Sequence, residues 1–184
     1  MDQGPLSELL EILEDPEPAM VAAGNGVKSL LQSHYRKKGK AEPNRLGGKR
    51  SNFWADVARS VRGPIASAGK VKVEITHVAI RQKIEGGTIK AKRHKHLAIP
   101  VHKESYGRFV RPFEKQTGIE LFFIEINGNK FFASSSSGEF EIYYILKKEV
   151  TQKPWPGSLP DQKDIVNAAH KGASEVLLLA VSGG

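Results

Sequence analysis

At 184 residues, 39% hydrophobic and 26% charged, the chain has the size and composition of one buried-core domain with at most an appendage. It holds no cysteine, which excludes disulfides, thiol nucleophiles and thiolate metal sites, and no apolar run approaches the roughly 20 residues of a membrane span. The net charge of +8 is uneven: residues 1–27 carry six acids and no Lys or Arg, residues 28–111 are net +16, and residues 112–184 are net −2, so the middle of the chain favours a polyanion or an acidic protein surface as neighbour, or is simply a solvated cationic face.

The chain opens on MDQGPLSELLEILEDPEP, acidic where a signal peptide would be cationic, which places the protein in cytosol or in a particle assembled there. Leu6, Leu9, Leu10 and Leu13 recur at i, i+3, i+4 and i+7, one apolar stripe on a short helix that Pro16 and Pro18 stop, giving an acidic N-terminal segment over 1–19. A second helix follows, with Val27, Leu30, Leu31, His34 and Tyr35 on one face and RKKGK at its end, where cations complement the helix dipole. KGKAEPNRLGGKR is then a loop rich in glycine and charge. Ser51 can cap a third helix with the stripe Trp54, Val57, Ala58 and Val61, ended by Gly63 and Pro64.

The periodicity then changes from helical to alternating. Val71, Val73 and Ile75 mark a strand with one face buried, and a short helical turn over Val78–Ile84 leads into Gly86-Gly87. Leu97–Val101 is a further strand. ELFFIEINGNKFFAS is a hairpin turning at Asn127-Gly128-Asn129, since Asn and Gly accept the positive φ such turns require. SSSSG is a mobile connection, and Phe140, Ile142, Tyr144 and Leu146 alternate on one more strand. Residues 149–160, with three prolines, are the expected linker between a domain over 20–148 and a last helix over 161–184, which Asp161 caps and Gly183 stops. Its stripe is Ile165, Val166, Ala169, Ala173, Val176, Leu177 and Ala180. The expected fold is α+β, a twisted antiparallel sheet packed by N-terminal helices and a C-terminal helix.

Three chemical signals are present only in fragments. GNGVKS resembles a phosphate loop, but Val27 separates the glycine from the lysine that must follow it and no strand precedes, so Asn25-Gly26 is better read as a local irregularity of the helix. His94, His96 and His102 lack the carboxylates or helical spacing with which zinc sites without cysteine are built. No GxSxG and no recognisable carboxylate pair accompanies the serines and histidines, and the expectation is no catalytic residue, no metal and no cofactor. Lys83, Lys90, Lys92, Arg93 and Lys95, with Tyr106 and Phe109 close behind, are dense enough to neutralise several phosphates. Any such binding would be of backbone type, since no base-reading signature accompanies them.

Three stretches together resemble the phage virion morphogenesis family, the tail-completion and neck proteins of tailed bacteriophages: PNRLGGKRSNFWADVARSV, HVAIRQKIEGGTIKAK and KHLAIPVHKESYGRFVRPF. The first includes Arg45, Gly47, Gly48, Phe53 and Trp54, the second Gly86, Gly87, Thr88 and Ile89, and the third Ala98, Ile99 and Pro100. The resemblance covers roughly residues 20–115 and does not reach Met1–Ala19 or the chain beyond Glu149. It implies a non-enzymatic α+β virion protein, assembled in the host bacterial cytoplasm, that closes a ring, commonly of six subunits, against other neck, connector or tail-tube proteins. Head-to-tail contacts are needed for such closure. Gly86, Gly87, Lys90, Lys92, Arg93 and Lys95 are the candidate arm, a glycine hinge followed by cations that faces either a neighbouring subunit or passing DNA.

Overall fold

The computed structural model describes residues 14–41, 52–135 and 140–182, with side chains up to residue 179. It is α+β: helices α1 (Glu17–Ala41), α2 (Phe53–Arg59), α3 (Ile80–Glu85), α4 (Val110–Thr117) and α5 (Gln162–Ser182) alternate with strands β1 (Val61–Ser67), β2 (Lys70–Ile75), β3 (Gly87–Lys90), β4 (Leu97–Pro100), β5 (Phe122–Ile126), β6 (Asn129–Ser134), β7 (Glu141–Lys147) and β8 (Glu149–Gln152). All strand pairs are antiparallel. The chain forms two units, one containing α1, α2, the β1-β2 hairpin, α3 and α5, the other containing β3 to β8 and α4. The leucine stripe at Leu6–Leu13, the loop with Arg45, Gly47 and Gly48, the cap at Ser51 and most of SSSSG lie outside the described residues.

The first unit is organised on α1. Leu31 and Tyr35, one turn apart with Val27 a turn before, meet Trp54, Val57 and Ala58 of α2, Val61 of β1 and Ile80 of α3, with Phe53, Val73, Ile75 and Ile84 around them. Tyr35 and Trp54 stack nearly parallel at 5.8 Å, and Phe53 stands edge-on to Trp54 at 4.8 Å. Glycines do not interrupt α1, contrary to the irregularity expected at Asn25-Gly26. Gly26 is instead where α5 crosses: a Cβ on Gly26 would overlap the carbonyl oxygen of Ala168, and one on Gly172 would overlap the carbonyl oxygen of Ala22. The two backbones touch because neither helix has a side chain there.

Several expectations are corrected. The third helix stops at Arg59 rather than running to Val61. The Ser60 amide bonds back to Asp56 and Val57, and the Ser60 carbonyl accepts both the amide and the hydroxyl of Thr76, which turns the chain directly into a hairpin. Val61 therefore begins a strand, paired with Ile75, and Gly63-Pro64 sit at a bulge inside it rather than after a helix. Pro18 lies in the first turn of α1, where its missing N–H costs nothing, so the helix begins three residues before the expected boundary at 19/20. The chain passes from the second unit to the first at Pro154-Trp155, inside the expected linker over 149–160, but the segment carries structure of its own: Glu149–Gln152 is strand β8, and Trp155–Ser158 is a turn of the first unit. The Trp155 amide and the Ser158 hydroxyl both donate to the Lys83 carbonyl, at 2.7 and 3.1 Å, the Gly157 carbonyl stands 2.9 Å from His34 Nε2, and the Pro156 carbonyl accepts from Lys38 Nζ at 3.3 Å. The C-terminal helix is likewise no separate piece, being packed on α1.

In the second unit the sheet order is β4-β7-β6-β5, with β3-β8 as a two-stranded ribbon. Phe113 of α4 fills the sheet's core against Tyr143 and Tyr144, with Val110, Ile119, Leu121 and Phe132 around it. The segment between β4 and α4 is tied down by the buried Ser105 hydroxyl, placed 2.9 Å from the His102 carbonyl and 2.8 Å from that of Tyr143.

Two predictions follow from these cores. Gly172→Val should force α5 off α1 and lower unfolding free energy by about 3 kcal/mol in urea titration, while Ser174→Ala, on the exposed side of the same helix, should leave the midpoint unchanged. Tyr35, Tyr143 and Tyr144 are each pushed up to about 12, from an ordinary 10.0, chiefly by burial. The neutral phenol is thus favoured in the folded state. The stability these groups contribute is complete below pH 10 and lost as pH rises towards 12. The urea midpoint should be flat between about pH 8 and 10 and fall above that, and Tyr35→Phe should shallow the fall. At neutral pH that substitution should cost nothing, since the buried Tyr35 hydroxyl has no hydrogen-bond partner among the described residues.

Candidate assembly surface

The cationic segment owes its position to a change of ladder partner. β7 and β8 are separated only by Lys148, so they form one nearly continuous strand. Its β8 half pairs with β3 (Lys90↔Glu149) and its β7 half with β4 (Leu97↔Lys147). Six residues, 91–96, therefore stand opposite the single residue Lys148. They cannot enter either ladder and are extruded as a loop. Both of its ends are held: the Ala91 amide donates to the Lys148 carbonyl at 3.0 Å, and Leu97 starts β4.

The proposed hinge is corrected by this arrangement. Gly86 has a φ of +71 and is closely approached by Gln152 and Pro154, while Gly87 is already in the ladder opposite Gln152. The pair turns the chain from α3 into β3 and does not release a free arm. Thr88 and Thr151 face each other with hydroxyls 2.9 Å apart, and Lys90 pairs with Glu149 at 3.4 Å across the same ribbon. Lys90 is thus the one member of the candidate arm with a carboxylate partner among the described residues. Lys92, Arg93 and Lys95 are exposed on the loop itself, with His94 exposed among them.

Two cations belong with these and were not foreseen. Lys147 and Lys148 are exposed on the strand facing the loop, and the ladder brings them beside Lys92, Arg93 and Lys95 from more than 50 positions away. The result is five cations at one end of the second unit, with Lys147 Nζ hydrogen-bonded to the side-chain oxygen of Asn129, the first residue of β6, at 3.1 Å. Only the alternation in Phe140–Leu146 carried a signal for Lys147 and Lys148, and it fixed a strand without its register. Tyr106 and Phe109, considered as stacking residues, are 37% and 84% exposed. Lys83 is elsewhere, in the first unit, with its ammonium 4.1 Å from the centre of the Trp155 ring and 5.9 Å from that of Phe53. Trp54 is buried in the core of the first unit and Phe53 packs against it.

No cluster of three or more His, Asp or Glu suited to a metal ion occurs among the described residues, so the structure brings His94, His96 and His102, all in loops, into no such group. No helix among them is long and apolar enough to cross a membrane. No protein-family model matches the sequence, and neither curated proteins nor solved structures return a significant match.

The arrangement gives this end of the unit an anion-seeking surface on a fixed frame. Reversing Lys92, Arg93 and Lys95 to Glu should sharply reduce retention on a heparin column. Because these side chains contribute nothing to either core, the thermal midpoint should stay within about 2 °C of wild type.

Proposed function

We propose that the protein is a structural virion component of a tailed bacteriophage or prophage, acting in tail completion or head-tail joining as a ring at the neck or tail end. The observation that carries this reading is the order of the three sequence stretches resembling the phage virion morphogenesis family, with an alternating strand between the first two. The fold is compatible with it. A ring subunit needs a rigid body and surfaces able to meet a copy of itself, and the second unit offers an antiparallel sheet with both edges unpaired among the described residues. In this reading the partners are further copies, six in a closed ring, together with neck, connector or tail-tube proteins, and assembly takes place in the host cytoplasm. The chemistry is assembly, with no catalytic step and no cofactor.

A second reading has one specific observation behind it. Lys92, Arg93, Lys95, Lys147 and Lys148 are gathered on one end of the sheet, which suits backbone-type, non-sequence-specific contact with nucleic acid. Within a ring the same surface could line a DNA passage. Light scattering after size exclusion, with and without duplex DNA at low and high salt, separates the two. A discrete oligomer whose mass ignores DNA supports the ring. A monomer that takes up DNA at low salt and loses it steeply as salt rises supports the nucleic-acid reading and counts against the ring.

A further inference from the structure

The sheet of the second unit has two edges of opposite character. β5, FFIEI, pairs with β6 alone among the described residues, leaving its other side without ladder partners. Phe122, Phe123 and Ile126 are 42%, 53% and 43% exposed, and Phe140 stands 6.1 Å from the Phe122 ring and is 52% exposed itself. The strand has no lysine, no proline and no bulge to blunt it, and its single charge is Glu125. The segment 119–126 carries two acids, Glu120 and Glu125, and no cation. The opposite edge is β4, which pairs with β7 alone and ends at Pro100. Its surroundings, residues 92–103, carry Lys92, Arg93, Lys95 and Lys103 and no acid.

We infer that β5 of one subunit adds to β4 of the next, joining the four-stranded sheets head to tail. The topology favours this. Successive strands in the order β4-β7-β6-β5 all run antiparallel, so the two edges of an even-stranded sheet point in opposite directions. A copy placed by rotation alone presents its β5 antiparallel to β4, and the ladder continues without a change of sense. The strands match in length at five and four residues. Their flanks differ in sign, four cations beside β4 against Glu120 and Glu125 at β5, of which Glu125 also has Lys130 of its own subunit at 4.0 Å. Val101 donates to β7, so Ala98 and Pro100 face the open edge, where Pro100 offers only its carbonyl; backbone hydrogen bonds would contribute on this limited scale and the phenylalanines would add burial at the seam. An isologous β5 to β5 contact would instead set like charges together, and it would end at a dimer with both β4 edges left open. The inference rests on the ring reading above and names the surface through which the ring closes.

The absence of native cysteine makes the contact directly testable. Phe123→Cys places a thiol on β5 and Ala98→Cys one on β4, both at exposed positions. A short bis-maleimide reaches directly opposed and diagonal positions on neighbouring strands, about 5 to 8 Å apart. A mixture of the two variants should give a covalent dimer that neither gives alone, and the double variant should give a ladder of covalent species ending at the ring number. Cross-linking of the Phe123→Cys variant with itself would overturn the head-to-tail pairing. An oligomer seen by light scattering with no cross-link in the mixture would overturn it while leaving the ring standing. A monomer at every concentration would remove both.

Discussion

The first unit depends on one contact between backbones. Where α1 and α5 cross at Gly26 and Gly172, no side chain separates the helices, so their spacing is set by main-chain atoms and not by rotamers. This lets α1 carry contacts on two sides at once. Ala22 and Gly26 meet α5, while Gly24 lies against Pro64 and Val71 of the hairpin, where a Cβ would come within 2.7 Å of the Val71 side chain. Further along, Leu31 and Tyr35 take α2 and α3. Without the crossing, the 21-residue α5 would have to find its place through a narrow half-buried stripe of Ile165, Ala168, Ala169, Ala173 and Val176, mostly too small to hold it alone.

How much of this was legible in the sequence varied with the kind of signal. Helices with a long apolar period and the hairpin at Asn127-Gly128 were readable because their local chemistry agrees with their final state. β1 was not, because Val61 continues the stripe of Trp54, Val57 and Ala58 at helical spacing, and only the hydrogen bonds from Thr76 to Ser60 break that continuation. β8 was hidden by the prolines that follow it, and β3 by its glycine start. Each is four residues long and stabilised chiefly by the other. GNG and HKGA carried the information for the helix crossing, but a glycine in a helix reads as a weakness until the partner backbone is known.

The cationic surface shows the same division. Lys92, Arg93 and Lys95 are contiguous, so the sequence displayed them openly. Lys147 and Lys148 join them only through the register Leu97↔Lys147, a long-range relation that alternation cannot specify. Lys90, apparently of the same run, is withdrawn from it by Glu149, the residue opposite in the ribbon. A charge cluster on a sheet is thus defined by register as much as by composition. The same register decides which edge is cationic and which apolar, so both edges take their character from one pattern of strand pairing.

The six-against-one mismatch at Lys148 has an evolutionary side. Because the β3-β8 ladder closes the loop on one flank and the β4-β7 ladder on the other, the number of residues between Lys90 and Leu97 is not fixed by either sheet. Lengthening a loop whose ends are already held costs only slowly growing entropy. Insertion, deletion or a change of charge in this segment therefore leaves the frame undisturbed, since the strands on either side stay in step through their own ladders.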